Sequence, residues 1–182
     1  ASYRRQRQMC IRDREKGWYG LENLVKIPGS VGAAPIQNIG AYGAEVADFI
    51  EYVLVWDAGG KERKLSRDEC LFGYRSSIFQ RDTELTVAGV GLRLGKIPKP
   101  NISYPDVSNA LSGRPESSIT PKIVASKIAE IRSAKLPDPK TYPNVGSFFK
   151  NPLLEEKGCG KIKRDWSNGF FSGAVSYTHL RA

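Results

Sequence analysis

Residues 49–56 read FIEYVLVW, a run of β-branched and aromatic residues broken by a single charge; Asp57-Ala58-Gly59-Gly60 then leads into the charged return KERKL. An apolar run, a glycine-containing turn and a second short run predict an antiparallel hairpin. Residues 85–94 (LTVAGVGLRL) alternate well enough to predict another strand. Ser66-Arg67-Asp68-Glu69 has capping-box spacing, which predicts a single helical turn that stops before Gly73. Further on, Thr120-Pro121 forms an N-cap and N1 pair, and Val124, Ile128 and Ile131 fall at i, i+4 and i+7. That spacing predicts an amphipathic helix ending near Ala134, stopped by Leu136-Pro137. Prolines, serines and asparagines across residues 98–115 predict a loop, as do the small residues that follow a short apolar turn in residues 18–35 (WYGLENLVKIPGSVGAAP).

Composition narrows the class. With 182 residues, 40% of them hydrophobic, the chain has apolar material for one core or two small ones, which excludes wholesale disorder. No run approaches the roughly 18–20 apolar residues of a membrane-spanning helix, and no apolar stretch follows the basic N-terminal residues as an export signal requires. No membrane partner is therefore expected. Cys10, Cys70 and Cys159 are odd in number and far apart, which argues against a disulfide framework or a zinc clip. No metal is expected, and a reducing, cytoplasmic setting fits.

The formal charge of +9 invites a nucleic-acid reading. Its placement weakens that reading. Residues 1–14 hold Arg4, Arg5, Arg7, Arg12 and Arg14 against Asp13, and Arg181 stands near the other end, so the tails carry +5 and the middle +4. The tails are also complementary through the genetic code: Val175-Ser176-Tyr177-Thr178-His179-Leu180 can be encoded by DNA whose reverse complement encodes Met9-Cys10-Ile11-Arg12-Asp13. Both ends resemble translated sequencing adapter; chance together with a basic N-terminal arm is the other reading. With the tails goes His179, the only histidine, so the body holds no His-based triad, general base or metal ligand. Residues 158–172 (GCGKIKRDWSNGFFS) show no clear periodicity and are assigned neither fold nor function.

Three stretches are hard to reduce to packing. In residues 28–43 (PGSVGAAPIQNIGAYG) the glycine spacing lets backbone N–H groups come close to a phosphate or the edge of a flavin ring. A turn-rich connection has the same composition, and on the residues alone both readings stand. FGYRSS sets Tyr74 and Arg75 beside Gly73, where a guanidinium can hold a carboxylate or a developing enolate by paired charge-assisted hydrogen bonds; an ion pair within the fold is the alternative. GSFFKNP places Ser147 before two aromatics, where it either caps a turn or meets a reactant. Arg132 and Lys135, three apart at the end of the expected helix, share a face and either complement the helix dipole or engage an anion.

Together and in this order, GLENLVKIPGSVGAAPIQNIGAYG, FGYRSSIF, KLPDPK and GSFFKNP resemble the diagnostic strings of the UDP-N-acetylenolpyruvoylglucosamine reductases, flavoenzymes that complete UDP-N-acetylmuramate for peptidoglycan synthesis. The resemblance runs over 133 residues, 20–152. It implies an α+β fold: a partial FAD-binding domain of PCMH-like type (its second half) over residues 15–95, then a partial substrate-binding domain over 96–157, flanked by adapter-like tails at 1–14 and 158–182. It also implies FAD as cofactor, NADPH as hydride donor, UDP-N-acetylglucosamine enolpyruvate as substrate, a cytoplasmic location and no nucleic-acid partner.

Carried over position by position, the resemblance places Pro28, Gly29, Gly32, Ala33, Ala34, Pro35, Asn38 and Gly40 near the flavin or its diphosphate. Arg75 matches the arginine that polarises the enolpyruvyl carboxylate, and Ser147 matches the serine that delivers a proton. Tyr74, Tyr104, Arg132, Lys135 and Asn151 match positions lining the UDP-sugar site. The family's phosphate-binding loop has no counterpart before Gly20, and its glutamate-bearing C-terminal segment is not found. The chain therefore reads as an internal fragment, expected to bind FAD weakly and not to turn over. Two other classes stay open. A basic nucleic-acid module needs a basic stripe interleaved with aromatics, whereas the body spreads 22 Lys+Arg among 18 Asp+Glu. Another FAD-dependent oxidoreductase of related fold fits less well, because GSFFKNP and KLPDPK belong to the substrate domain.

Overall fold

The computed structural model describes Asp13, residues 15–135 and Thr141. The chain divides into two units, Ala1–Tyr142 and Pro143–Ala182, and the fold described is that of the first. The small-residue loop closes in a two-stranded ribbon, β1 (Gly40–Ala41) and β2 (Ala44–Glu45), turned through Tyr42 and Gly43, both at positive φ. The expected hairpin follows: β3 (Ile50–Trp56) pairs antiparallel with β4 (Glu62–Ser66). Its turn is held by Asp57, whose Oδ1 accepts from the N–H groups of Gly59 and Lys61, both at 3.0 Å. β5 (Thr86–Leu92), also expected, pairs antiparallel on the other side, giving the order β4-β3-β5.

Alternation decides which side of this sheet is core. Val53 and Val55 point inward and are fully buried with Leu65, while Tyr52, Leu54 and Trp56 line the other face. A bulge between Ile50 and Tyr52 shifts the parity, so Ile50 faces inward as well. On the outer face the Tyr52 ring lies across β5, and a Cβ built on Gly91 would stand 2.3 Å from it. Glycine in the middle of that strand, weak for sheet formation in itself, is thus required by its neighbour.

Residues 98–115 depart from expectation. Rather than loop throughout, they contain a helix, α1 (Pro105–Leu111), with Pro105 at N1 and Val107 and Leu111 buried one turn apart. Seven residues with one apolar pair are too short to be helical by propensity. Packing against α2 (Pro121–Lys135) supplies what the local sequence does not. α2 itself forms as expected: Thr120 caps it, its Oγ1 accepting from Ile123 N at 3.3 Å, and Val124, Ala125 and Ile128 are buried while Ile131 is half-buried. These helical residues share one apolar core with Leu21, Leu24, Val46, Val53, Val55, Cys70 and Phe79. Ser66 and Glu69 make the reciprocal capping-box bonds around a single hydrogen-bonded turn, Cys70 N to Ser66 O, that closes at Leu71 and so stops before Gly73 as expected. No helix among the described residues is long and apolar enough to cross a membrane.

Candidate functional site

Residues 30–39 form a chain of consecutive turns, with Ala33 N bonded to Ser30 O, Ala34 N to Val31 O, Ile36 N to Ala33 O and Asn38 N to Pro35 O, at 3.2–3.3 Å. The winding sends alternate members of the expected flavin loop in opposite directions. Ala34, Pro35 and Asn38 are buried, Gly32 and Gly40 are half-buried, and Pro28, Gly29 and Ala33 are exposed. The glycines serve different ends. Gly29, at φ 122°, sits where a side chain is strained. Gly32 has no such excuse: its φ is ordinary, and an added Cβ would meet only Val87, at 3.9 Å. Neither backbone nor packing demands glycine there, and without a side chain its backbone is left open to close approach.

Arg75 stands at the tip of a tight turn in which Gly73 and Ser76 exchange backbone hydrogen bonds at 3.0 and 3.1 Å. Its φ is 49°, a left-handed conformation that costs a non-glycine residue about 1 kcal/mol or more. The guanidinium repays that cost by bonding to the glycine loop. Nη2 donates to Gly40 O at 2.7 Å, and Nη1 donates to Asn38 O at 3.3 Å and to Glu45 Oε1 at 3.2 Å. A Cβ on Gly40 would lie 2.6 Å from Nη1 and 2.9 Å from Ala44 O, so glycine leaves room here for both the arginine and the paired strand. Tyr74 sets its ring 5.1 Å from the Arg75 guanidinium carbon.

Asn38 is 1% exposed, and its amide is fully engaged within the protein. Nδ2 donates to Glu45 Oε2 at 2.7 Å and to Gly73 O at 3.0 Å, and Oδ1 accepts from Ala47 N at 3.1 Å. Buried Ser77 adds another tie between the loop and the Arg75 turn, donating to Ile36 O at 2.6 Å and accepting from Phe79 N. The expected flavin loop and the expected carboxylate arginine are therefore one hydrogen-bonded unit.

A second cluster gathers Tyr104, Arg132 and Lys135. Tyr104 meets Tyr42 edge-on, with ring centroids 5.2 Å apart. Arg132 lies beside the Tyr42 phenol, close enough for the two to shift each other's ionisation, and gives Nη2 to Lys26 O at 3.4 Å, while its Nε is buried and donates to nothing among the described residues. Burial lowers the Arg132 pKa, and the same desolvation raises that of Tyr42, a rise that the neighbouring guanidinium partly offsets. Lys135 pairs its Nζ with Asp106 Oδ2 at 2.5 Å. Ser147 and Asn151 lie outside the described residues.

Sequence reasoning did not single out Tyr42 and Glu45. Tyr42 lies inside the small-residue string and Glu45 two positions past it. The only signal for Glu45 was an acidic residue close after two glycines, and that is too common to act on. No cluster of His, Cys, Asp and Glu among the described residues could hold a metal ion.

This arrangement, a glycine loop locked to an arginine turn beside a small antiparallel sheet, is that of an α+β FAD-binding fold, and a family model described as an FAD binding domain matches residues 11–66. The chain is 44% identical over 146 residues to the UDP-N-acetylenolpyruvoylglucosamine reductase of Dechloromonas aromatica (strain RCB), covering 77% of this chain and 43% of that one. It is 47% identical over 153 residues to the reductase of that name from Aliivibrio fischeri (strain ATCC 700601 / ES114), covering 82% and 42%. The crystal structure of UDP-N-acetylenolpyruvylglucosamine reductase (MurB) from Thermus caldophilus superposes with a TM-score of 0.56 at 22% identity, over 98% of this chain and 60% of that one, a likeness of fold. Over the span that it covers, the chain is similar to a fragment of the UDP-N-acetylenolpyruvoylglucosamine reductases. It spans less than half the length of these curated relatives.

Proposed function

We propose that this segment serves the FAD-dependent, NADPH-using reduction of UDP-N-acetylglucosamine enolpyruvate to UDP-N-acetylmuramate, a cytoplasmic step of peptidoglycan synthesis. One observation carries the reading: Arg75, the residue matched to the carboxylate-polarising arginine, is tied at 2.7–3.3 Å to the loop matched to the flavin. The open backbone at Gly32, with exposed Gly29 and Ala33 near it in the loop, suits a flat ring or diphosphate that must lie against backbone. Pro28, Gly29, Gly32, Ala33 and Gly40 would contact it directly, whereas Ala34, Pro35 and Asn38 would shape the loop from beneath. Bound there, FAD supplies hydride that it has taken from NADPH.

The chain's own residues then have three tasks. Hydride arriving at C3 of the enolpyruvyl ether leaves negative charge at C2 and on the adjoining carboxylate; Arg75 holds that charge, with Tyr74 beside it. Ser147 delivers a proton to C2. Its hydroxyl is a weak acid, sufficient only because the acceptor is strongly basic. Tyr104, Arg132, Lys135 and Asn151 hold the UDP-sugar, the buried Arg132 Nε being a donor with no acceptor inside the described protein. In this reading the flavin part takes residues 15–95 and the substrate part residues 96–157.

The test is a graft. Residues 15–135 replace the aligned segment of the Dechloromonas aromatica relative, and NADPH oxidation is followed with and without the enolpyruvyl substrate. Substrate-dependent oxidation that Arg75→Ala abolishes supports the reading; a graft that binds FAD and turns over equally well with Arg75→Ala defeats it.

A further inference from the structure

Arg75 can hold a substrate carboxylate in one orientation only if it is itself held, and its inner edge is held by the carbonyls of Gly40 and Asn38 and by one charged partner, Glu45. The Glu45 carboxylate accepts on both oxygens, from Arg75 Nη1 on Oε1 at 3.2 Å and from Asn38 Nδ2 on Oε2 at 2.7 Å, and it also takes the backbone N–H of Asp48. Asn38 has no freedom to turn over, because Oδ1 is fixed by Ala47 N and Nδ2 also serves Gly73 O. Gly73 opens the turn that carries Arg75, so the network closes on itself. Nη1 and one side of Nη2 are thereby spent on Asn38 O, Glu45 and Gly40 O. Nε makes no hydrogen bond within the described protein; with the remaining Nη2 hydrogen it forms the edge of a guanidinium that takes a carboxylate side-on.

We infer that Glu45, locked by Asn38, is a positioning residue: it turns the inner edge of Arg75 into the protein so that the Nε edge is presented to the substrate's carboxylate. This rests on the reading of Arg75 given above. The acceptor must be a carboxylate. In Glu45→Gln the new amide places an N–H against either the Arg75 donor or the Asn38 donor, whichever way it lies, and one of the two bonds is lost. The same change removes the negative charge beside the guanidinium, so an incoming carboxylate is attracted at least as strongly but meets a misaligned partner. Positioning and binding therefore separate: turnover falls while apparent affinity does not.

In the grafted reductase, Glu45→Gln is expected to lower kcat about tenfold or more, with KM unchanged or reduced and FAD content at the parent level. In the 182-residue chain, the Arg75 side-chain N–H signals, assigned by their loss in Arg75→Lys, should sharpen and shift toward freely rotating guanidinium in Glu45→Gln. Unchanged kcat and KM in Glu45→Gln, or a loss of activity that follows loss of FAD in proportion, would overturn the inference while leaving the role of Arg75 intact. Parent-level turnover in Arg75→Lys would instead overturn that role, and the inference with it.

Discussion

Arg75 and Arg132 are both partly withdrawn from water, yet the chain treats them in opposite ways. Arg75 has a carboxylate and two carbonyls arranged around one edge of its guanidinium, on a turn whose backbone is strained to bring it there. Arg132 has a neighbouring phenol and one long bond to a carbonyl, with a buried Nε that donates to nothing among the described residues. The first is preorganised: its desolvation has been met within the protein, so little rearrangement is needed when a reacting charge develops beside it. The second is incomplete, and a buried donor without an acceptor is a standing cost that a bound anion would relieve. Fixed and unfinished cations suit different tasks, charge stabilisation during reaction and capture of a ligand.

The contrast can be broken experimentally. The largest effect belongs to Arg75→Ala in the grafted reductase, expected to cost about 10²–10³ in kcat, the loss typical of removing one preorganised donor, as read from NADPH oxidation at saturating substrate. Arg132→Met should separate stability from binding. Urea unfolding should show a chain as stable as the parent or about 1 kcal/mol more so, since an incompletely paired buried charge gives way to an apolar side chain, while KM for the UDP-sugar rises. A comparable loss of stability in both arginine variants would erase the distinction.

The packing around the site offers smaller effects. Leu111→Ala removes the buried end of α1 and should destabilise by about 2–4 kcal/mol in urea, with activity following only through folded fraction. Gly91→Ala drives a Cβ into the Tyr52 ring and should cost about 1–3 kcal/mol, much of it recovered in the double variant with Tyr52→Ala. The smallest effect is alkaline. The Tyr42 pKa is raised above its ordinary 10.0, chiefly by desolvation, so the folded state keeps a proton that the unfolded state gives up. Stability from this group is therefore complete below pH 10 and is lost as pH rises through the folded value. Tyr42→Phe should flatten that part of the pH–stability curve; an unchanged slope would show that the ring is not desolvated.

The hairpin at Ile50–Trp56 and Glu62–Ser66, the strand Thr86–Leu92 and the helix Pro121–Lys135 were legible because each carries its own periodicity and its own turn or cap. Pro105–Leu111 was not, because a single buried pair in a proline- and serine-rich stretch has no local signature until α2 lies beside it. Among the site residues, Arg75 and the glycines were visible through their strings. Asn38 was visible too, though as a loop residue meeting the cofactor, whereas its amide is turned inward to Glu45, Gly73 and Ala47.

Glycine spacing, apolar alternation and the order of four short strings are properties of neighbours along the chain, and they determined the resemblance and most of the elements. Which oxygen meets which guanidinium nitrogen was decided only by the tertiary structure. Glu45 and Arg75 are thirty positions apart, and the bond between them exists because Gly40 leaves room for the arginine and a strained turn points it at the loop. Hydrogen bonds are directional and span about 3 Å, so their partners are set by folded geometry, and sequence patterns carry no record of that until the chain has folded.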